Sequence, residues 1–228
     1  MNLDYKFQIF GIWSAPAFIV IFTPIIIFMG FFPPHSPLMD AQEVTQAYLE
    51  NTAAIRLGAT AMMQLCLLGV FWVAVITVQI RRMEGDGSRF LTYSQLTLGL
   101  LTFFLFLPAS IFWSLASFRP DTRAAELTYL LNDLGWVSLL MPVGSAFLQA
   151  FVIAAAVFSD KQENPTYPRW FAYLNLWIGF LFFPRMFMMF FKEGPFAWDG
   201  LFDFYIPLAG FTLWVLVTSV LTTKAIRK

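Results

Sequence analysis

Of the 228 residues, 59% are hydrophobic and only 12% are charged, with 14 Lys and Arg balanced by 14 Asp and Glu. An ordinary soluble domain carries roughly 25% charged residues, so a soluble fold is excluded. With no basic tail or patch, nucleic acid is excluded as a partner. The apolar residues fall in long blocks divided by short charged connectors, the pattern of an all-α, polytopic transmembrane helical bundle in contact with a lipid bilayer.

A spanning helix needs about 20 apolar residues. The first candidate span covers residues 8–32; its length and its Pro16 and Pro24 argue against a cleaved signal peptide. Pro33-Pro34-His35-Ser36-Pro37 then stops the helix and forces an extended passage. Asp40 reads as an N-cap with Glu43 three residues on, a capping box, and Met39 with Val44 suits the accompanying hydrophobic staple. Val44, Ala47, Tyr48 and Asn51 follow at helical spacing and predict a short outer amphipathic helix.

Five further spans are predicted at residues 53–80, 91–118, 127–158, 170–191 and 201–223. The connector at residues 160–168 is polar, and Pro168 suits the first turn of the next helix. Residues 192–200 read as a tight turn, with Gly194 as a left-handed cap and Pro195 barring continuation. The short connectors leave a single transmembrane domain over residues 1–228.

Orientation follows from the basic residues. Lys6, Arg81, Arg82, Arg89, Lys161, Arg169, Lys224, Arg227 and Lys228 fall on one side, against Arg56, Arg119, Arg123 and Lys192 on the other. The positive-inside bias predicts both termini in the cytoplasm. Trp198 near the outer ends, with Trp13 and Trp170 near the inner ends, fits interfacial anchoring.

One internal echo is present. Leu91-Thr-Tyr, Leu98 and Gly99 recur as Leu127-Thr-Tyr, Leu134 and Gly135. Spans three and four run in opposite senses, so the echo would be inverted, as transporter repeats are; chance among common membrane residues is the plainer explanation.

Arg185 is the anomaly of the chain. It lies in Phe180-Leu-Phe-Phe-Pro-Arg-Met-Phe-Met-Met-Phe-Phe191, and hydrocarbon does not solvate a guanidinium, so it requires water, lipid phosphate or a carboxylate. At 1.5 Å per residue it sits about 10 Å from Lys192, in the outer third of the membrane. Asn132, Asp133, Asp203, Tyr205 and Arg56 fall near the same level. Arg185 paired with Asp133 or Asp203, with Trp136 close by, forms the candidate ligand site; outward snorkelling of Arg185 is the bland alternative.

A second polar set comprises Ser110, Ser114 and Ser117 on the third span, Ser145 and Gln149 on the fourth, and Gln64 on the second. Helix–helix adhesion is its leading reading. Prolines at 24, 108, 142, 184 and 207 bend helices and free carbonyls, which opens space between spans or simply kinks the packing. Phe182, Phe183, Met186, Met188 and Met189 flank Arg185 as a candidate adaptable apolar wall.

Several chemistries drop out. Cys66 is the single cysteine and lies in an apolar segment, so it reads as structural. His35 is the single histidine and falls in a loop, so no metal or haem site is expected. No cofactor is expected, and nucleotide fingerprints and nucleophile–histidine pairs are absent.

Gln79-Ile-Arg-Arg-Met-Glu-Gly85, Leu131-Asn-Asp-Leu-Gly-Trp136, Pro168-Arg-Trp-Phe-Ala-Tyr-Leu-Asn-Leu-Trp177 and Phe190-Phe-Lys-Glu-Gly-Pro-Phe-Ala-Trp-Asp-Gly200 resemble an uncharacterised family of bacterial six-span integral-membrane proteins. The resemblance covers most of the chain and implies a multi-pass protein of the bacterial inner membrane. It implies no activity.

The leading expectation is therefore a protein that binds or transports a small apolar or amphipathic molecule from the outer side. An accessory or scaffolding subunit, with a homo-oligomer or membrane complex as partner, is the second reading. A membrane-embedded lipid-modifying enzyme using Asp133 or Asp203 is the third.

Overall fold

The computed structural model describes residues 3–227; Lys228, one of the basic residues counted above, lies outside them, as do Met1 and Asn2. Among the described residues there are helices and no strands. Six helical stretches are long and apolar enough to cross a membrane: Leu3–Phe28, Thr52–Glu84, Phe90–Phe118, Ala125–Ser159, Arg169–Phe190 and Leu201–Ile226. They match the six expected spans to within a few residues. The chain is a multi-pass helical membrane protein.

Most spans are not continuous α-helices. The first is α1 (Leu3–Phe28), followed by the connecting helix α2 (Ala41–Glu50). Span two divides into α3 (Thr52–Leu65) and α4 (Leu68–Glu84), span three into α5 (Phe90–Phe104) and α6 (Phe106–Phe118), and span four into α7 (Ala125–Leu140) and α8 (Gly144–Ser159). Span five starts as α9 (Arg169–Phe182) and tightens into a 3₁₀ helix at Phe183–Phe190. Span six opens with a π-helical turn, Leu201–Tyr205, before α10 (Ile206–Ile226).

Two of these breaks follow from proline's missing N–H. Pro142 offers no donor to the Ser138 carbonyl, and Pro108 none to Phe104, the residue on which α5 ends. Between α3 and α4 there is no proline. There the chain tightens through bonds from Leu67 N to Gln64 O (3.3 Å), Gly69 N to Cys66 O (3.0 Å) and Val70 N to Leu67 O (3.1 Å), the 3₁₀ spacing.

Within α1, Pro16 frees the Ile12 carbonyl, and Ser219 of α10 donates its hydroxyl to it at 3.0 Å. A neighbouring helix thus satisfies the kinked backbone where lipid cannot.

The ends of α1, α4 and α10 meet at what we term the terminal end of the bundle. Gln79 Nε2 donates to Gln8 Oε1 (3.2 Å), and Arg82 Nη1 donates to Ala225 O (3.3 Å). The opposite end carries α2, which packs on α7. The capping box expected of α2 is formed: Asp40 Oδ1 accepts from Gln42 N and Glu43 N, and Asp40 N donates to Glu43 Oε2 (2.9 Å).

The apolar interior divides into two cores. One, toward the terminal end, gathers Ile12, Trp72, Ile76, Ile153, Phe171 and Trp214; the other, toward α2, gathers Phe31, Tyr48, Ile55, Trp113, Trp136 and Met188. Phe22 and Phe106 touch both. Helix adhesion falls mainly to groups other than the serines singled out from sequence. Trp72 Nε1 donates to Ser219 Oγ (2.9 Å), Trp214 Nε1 to Asn175 Oδ1 (2.8 Å), and Tyr167 Oη lies 2.7 Å from Thr222 Oγ1. Ser110 and Ser117 instead donate to carbonyls of their own helix, those of Phe106 and Ser114, and Gln64 is exposed.

The echoed glycines share a local role. A Cβ on Gly99 would lie 2.6 Å from a Val73 methyl, and one on Gly135 would lie 2.1 Å from Trp113 Nε1. Each is a notch for a neighbouring side chain, which close helix packing alone explains.

Candidate functional site

Between the two cores, at the depth where spans three and four break, lies a cavity of about 120 Å³. Its wall includes Leu105 and Phe106 from the α5–α6 break and Leu140 and Val143 from the α7–α8 break. Phe18 and Phe22 of α1, Phe182 of α9, and Phe204, Pro207 and Phe211 of span six complete most of the apolar surface. Interrupted helices cannot present a continuous ridge to their neighbours, so the space between the cores stays unfilled. Non-helical backbone at membrane depth is tolerated where it lines such a space.

Arg185 is the only charged side chain in that wall. It projects from the 3₁₀ helix, and its Nε donates to the main-chain carbonyl of Asp203 at 2.7 Å. Among the described residues this is the guanidinium's only hydrogen bond, which leaves both terminal nitrogens without a protein acceptor. The carboxylate pairing expected from sequence is therefore replaced by a backbone contact. Pro207, four residues on, has no N–H to offer, which leaves the Asp203 carbonyl available to an outside donor.

Asp203 itself is fully buried, and among the described residues both its carboxylate oxygens lack a hydrogen-bond partner. It interacts with Arg185 through space. Trp136, also fully buried, lines the cavity, and its Nε1–H has no acceptor among the described residues. Thr23, Thr102 and Thr212 supply the remaining polar groups of the wall.

The other sequence-predicted residues are placed differently. Asn132 and Asp133 belong to a neighbouring network: Tyr48 Oη donates to Asn132 Oδ1 (3.3 Å), and Asn132 Nδ2 donates to Asp133 Oδ1 (3.3 Å). Arg56 is exposed; its Nε and Nη2 donate to the carbonyls of Ser117 (2.9 Å) and Phe118 (2.8 Å). It therefore closes the C-terminal end of α6, where carbonyls lack helical partners. Tyr205 is 38% exposed and packs on Phe32 and Phe204 rather than joining the cavity wall. The structure thus brings Arg185, Trp136 and the backbone of Asp203 together, sets Asn132 and Asp133 one layer away, and removes Arg56 and Tyr205.

Sequence reasoning missed the aromatic wall dividing these two groups. Phe31 sits with its ring centroid 5.0 Å from His35, 5.9 Å from Tyr48, 5.0 Å from Trp113 and 5.5 Å from Trp136. His35, read as a plain loop residue, is drawn into this cluster, where burial pushes its imidazole below the usual value despite the nearby Asn132 side chain and Gly30 carbonyl. Burial likewise raises the Tyr48 hydroxyl well above the ordinary tyrosine value, with the Asp133 charge adding to it. The segment carrying His35 is latched across the bundle by Trp198, whose Nε1 donates to the His35 carbonyl at 2.6 Å. Nothing in a Pro-rich loop signals such a latch; only the helical spacing of Val44 and Tyr48 pointed to part of it.

Taken together, the fold and site define a six-span helical membrane protein with an intramembrane apolar cavity and one cationic wall residue. No protein-family model, curated protein or solved structure matches the chain.

Proposed function

We propose that the protein binds or moves a small apolar or amphipathic molecule, held in the inter-core cavity with its polar end at Arg185. One observation carries this reading: the single charged residue of an apolar wall keeps its terminal guanidinium nitrogens free of protein acceptors. A ligand carboxylate, phosphate, ester or carbonyl oxygen would supply the missing partner, and charge-assisted bonds of that kind are the strong ones. The volume is near the roughly 150 Å³ that admits benzene into an engineered protein core, which suits a small ring or a short length of acyl chain.

In this reading the α2 end faces outward and the termini lie in the cytoplasm, as the basic residues favour. The host membrane is the bacterial inner membrane, on the strength of the resemblance noted above. The ligand reaches Arg185 from the outer side, beneath the segment that Trp198 latches.

The test is mass spectrometry of small molecules that co-purify with the full chain in mild detergent. Arg185→Gln is made in an Asp203→Asn background, so that no charge is stranded in the interior. A species retained by wild type and by Asp203→Asn should be missing from the double variant. Equal retention in all three removes Arg185 as the anchor.

A further inference from the structure

Gln95 of α5 and Gln149 of α8, on two helices that pack against each other, hold unused hydrogen-bonding capacity. Gln95 and Gln149 are both fully buried, and neither the amide oxygen nor the amide nitrogen of either has a partner among the described residues. Each amide offers two donors and an acceptor oxygen with two lone pairs. Leaving such groups unpaired in an apolar interior is costly, and folded proteins rarely tolerate it.

Their placement is specific. A Cβ on Gly99 would sit 3.0 Å from Gln149 Nε2, so the absent side chain at Gly99 is what admits the Gln149 amide to the seam. Gln95 lies one turn away on the same face of α5. On α8, Ser145 lies one turn from Gln149, and its buried hydroxyl is likewise unpartnered. Thr102 of α5 and Ala146 of α8 belong to the cavity wall and lie three residues from Gly99 and Gln149. The orphaned amides therefore lie one to two helical turns beyond the cavity wall, on the side of the terminal end.

We propose that this seam binds ordered water between the amides of Gln95 and Gln149, giving the cavity a hydrated floor on the side of the terminal end. Water matches the groups present, because it donates to the amide oxygens and accepts from the amide N–H groups. A metal cation would engage only the oxygens and strand four N–H donors, and no cluster of metal-binding side chains occurs among the described residues. Buried waters that make several bonds to otherwise unsatisfied groups are a regular part of folded proteins. The inference goes beyond ligand binding at Arg185 and does not rest on it. A hydrated floor also offers the polar surface that an exit route from the cavity would need.

Water-to-protein magnetisation transfer on the full chain, with glutamine side-chain amides labelled by ¹⁵N, tests this directly. Gln95→Leu and Gln149→Leu assign the two core resonances, while the exposed Gln42 and Gln162 serve as positive controls. The expected result is transfer to both core amides in wild type and in Arg185→Lys alike. Transfer confined to the exposed controls overturns the proposal. If either leucine variant fails to fold, a density map of the wild type that resolves ordered solvent decides. Water within hydrogen-bonding distance of both amides supports the site; amides bonded only to protein, or with no density beside them, overturn it.

Discussion

The Arg185–Asp203 relationship makes an asymmetric prediction. The Nε–H bond to the Asp203 carbonyl is charge-assisted at 2.7 Å, a class worth about 1.5–3 kcal/mol. Removing one member of a buried charge pair costs more, about 3–5 kcal/mol, because the other charge is left stranded. Asp203 is fully buried but its carboxylate makes no direct bond to Arg185, so that figure is an upper limit here. Arg185→Gln should therefore destabilise by about 1.5–3 kcal/mol for the lost bond, and by less than about 5 kcal/mol in all. Asp203→Asn should cost far less, since it removes a charge that makes no hydrogen bond and leaves the carbonyl contact intact. The double variant should be more stable than Arg185→Gln alone, with a coupling on the order of 1–3 kcal/mol. Reversible unfolding of the four proteins in one detergent gives the cycle. If the two changes add to within about 0.5 kcal/mol, the side chains do not interact, and the Arg185 contact is a backbone staple only.

Three further outcomes follow from other parts of the fold. Gly135→Ala places a Cβ 2.1 Å from Trp113 Nε1 and 2.4 Å from its Cδ1, and Trp113 is fully buried against Phe31 and Trp136. Overpacking should cost at least about 1–3 kcal/mol in thermal unfolding, whereas Gly144→Ala, with nothing within 4 Å of the added Cβ, is the silent control; equal melting of the two variants refutes the notch. Asp40→Ala removes the α2 capping box and should cost about 1 kcal/mol, read as faster amide exchange in residues 41–44; unchanged exchange would show that packing on α7 holds α2 without its cap. For His35, burial holds the folded imidazole below its usual value of 6.5, so the unfolded chain binds more protons between the two values. Its contribution is present above pH 6.5 and is lost as the pH falls toward the folded value; the wild-type melting temperature should drop in that window relative to His35→Asn, and parallel pH profiles would refute the burial effect.

The six spans, their bounds and the capping box were legible in the sequence because each rests on a local rule: apolar length, proline punctuation or a three-residue spacing. Arg185 was legible as an anomaly for the same reason, since a guanidinium in a Phe/Met run conflicts with its surroundings at any tertiary arrangement. Its partner was not. Pro207 marks the Asp203 carbonyl, four residues back, as lacking its α-helical donor, but composition and hydropathy do not say which side chain reaches it. Shared depth also misled in part. Arg56 and Tyr205 lie near the expected level yet on other faces of the bundle, because height along a span fixes only one of three coordinates. Gln95 went unnoticed because a lone glutamine in an apolar helix usually finds a partner, and only the assembled interior shows that it has none.

Whether Arg185 is a site or a staple can be argued from within the protein, because the chain also contains an arginine that is plainly a staple. Arg56 spends two nitrogens on the carbonyls that end α6, the arrangement expected of a side chain kept to close a helix terminus. Arg185 makes one such bond and, with its remaining donors unpaired among the described residues, lines a cavity whose other wall residues carry no charge. A staple in hydrocarbon gains most by saturating every donor, since water is not there to finish the task. The same wall is formed where two spans are interrupted, at a cost in backbone hydrogen bonding that continuous helices would avoid. Membrane proteins that hold ligands at mid-depth use interrupted helices in this way. An unsaturated cation, broken helices and an unfilled space at one depth each weaken the bundle as a bundle, and a bound molecule with a polar end would relieve the first and the last together.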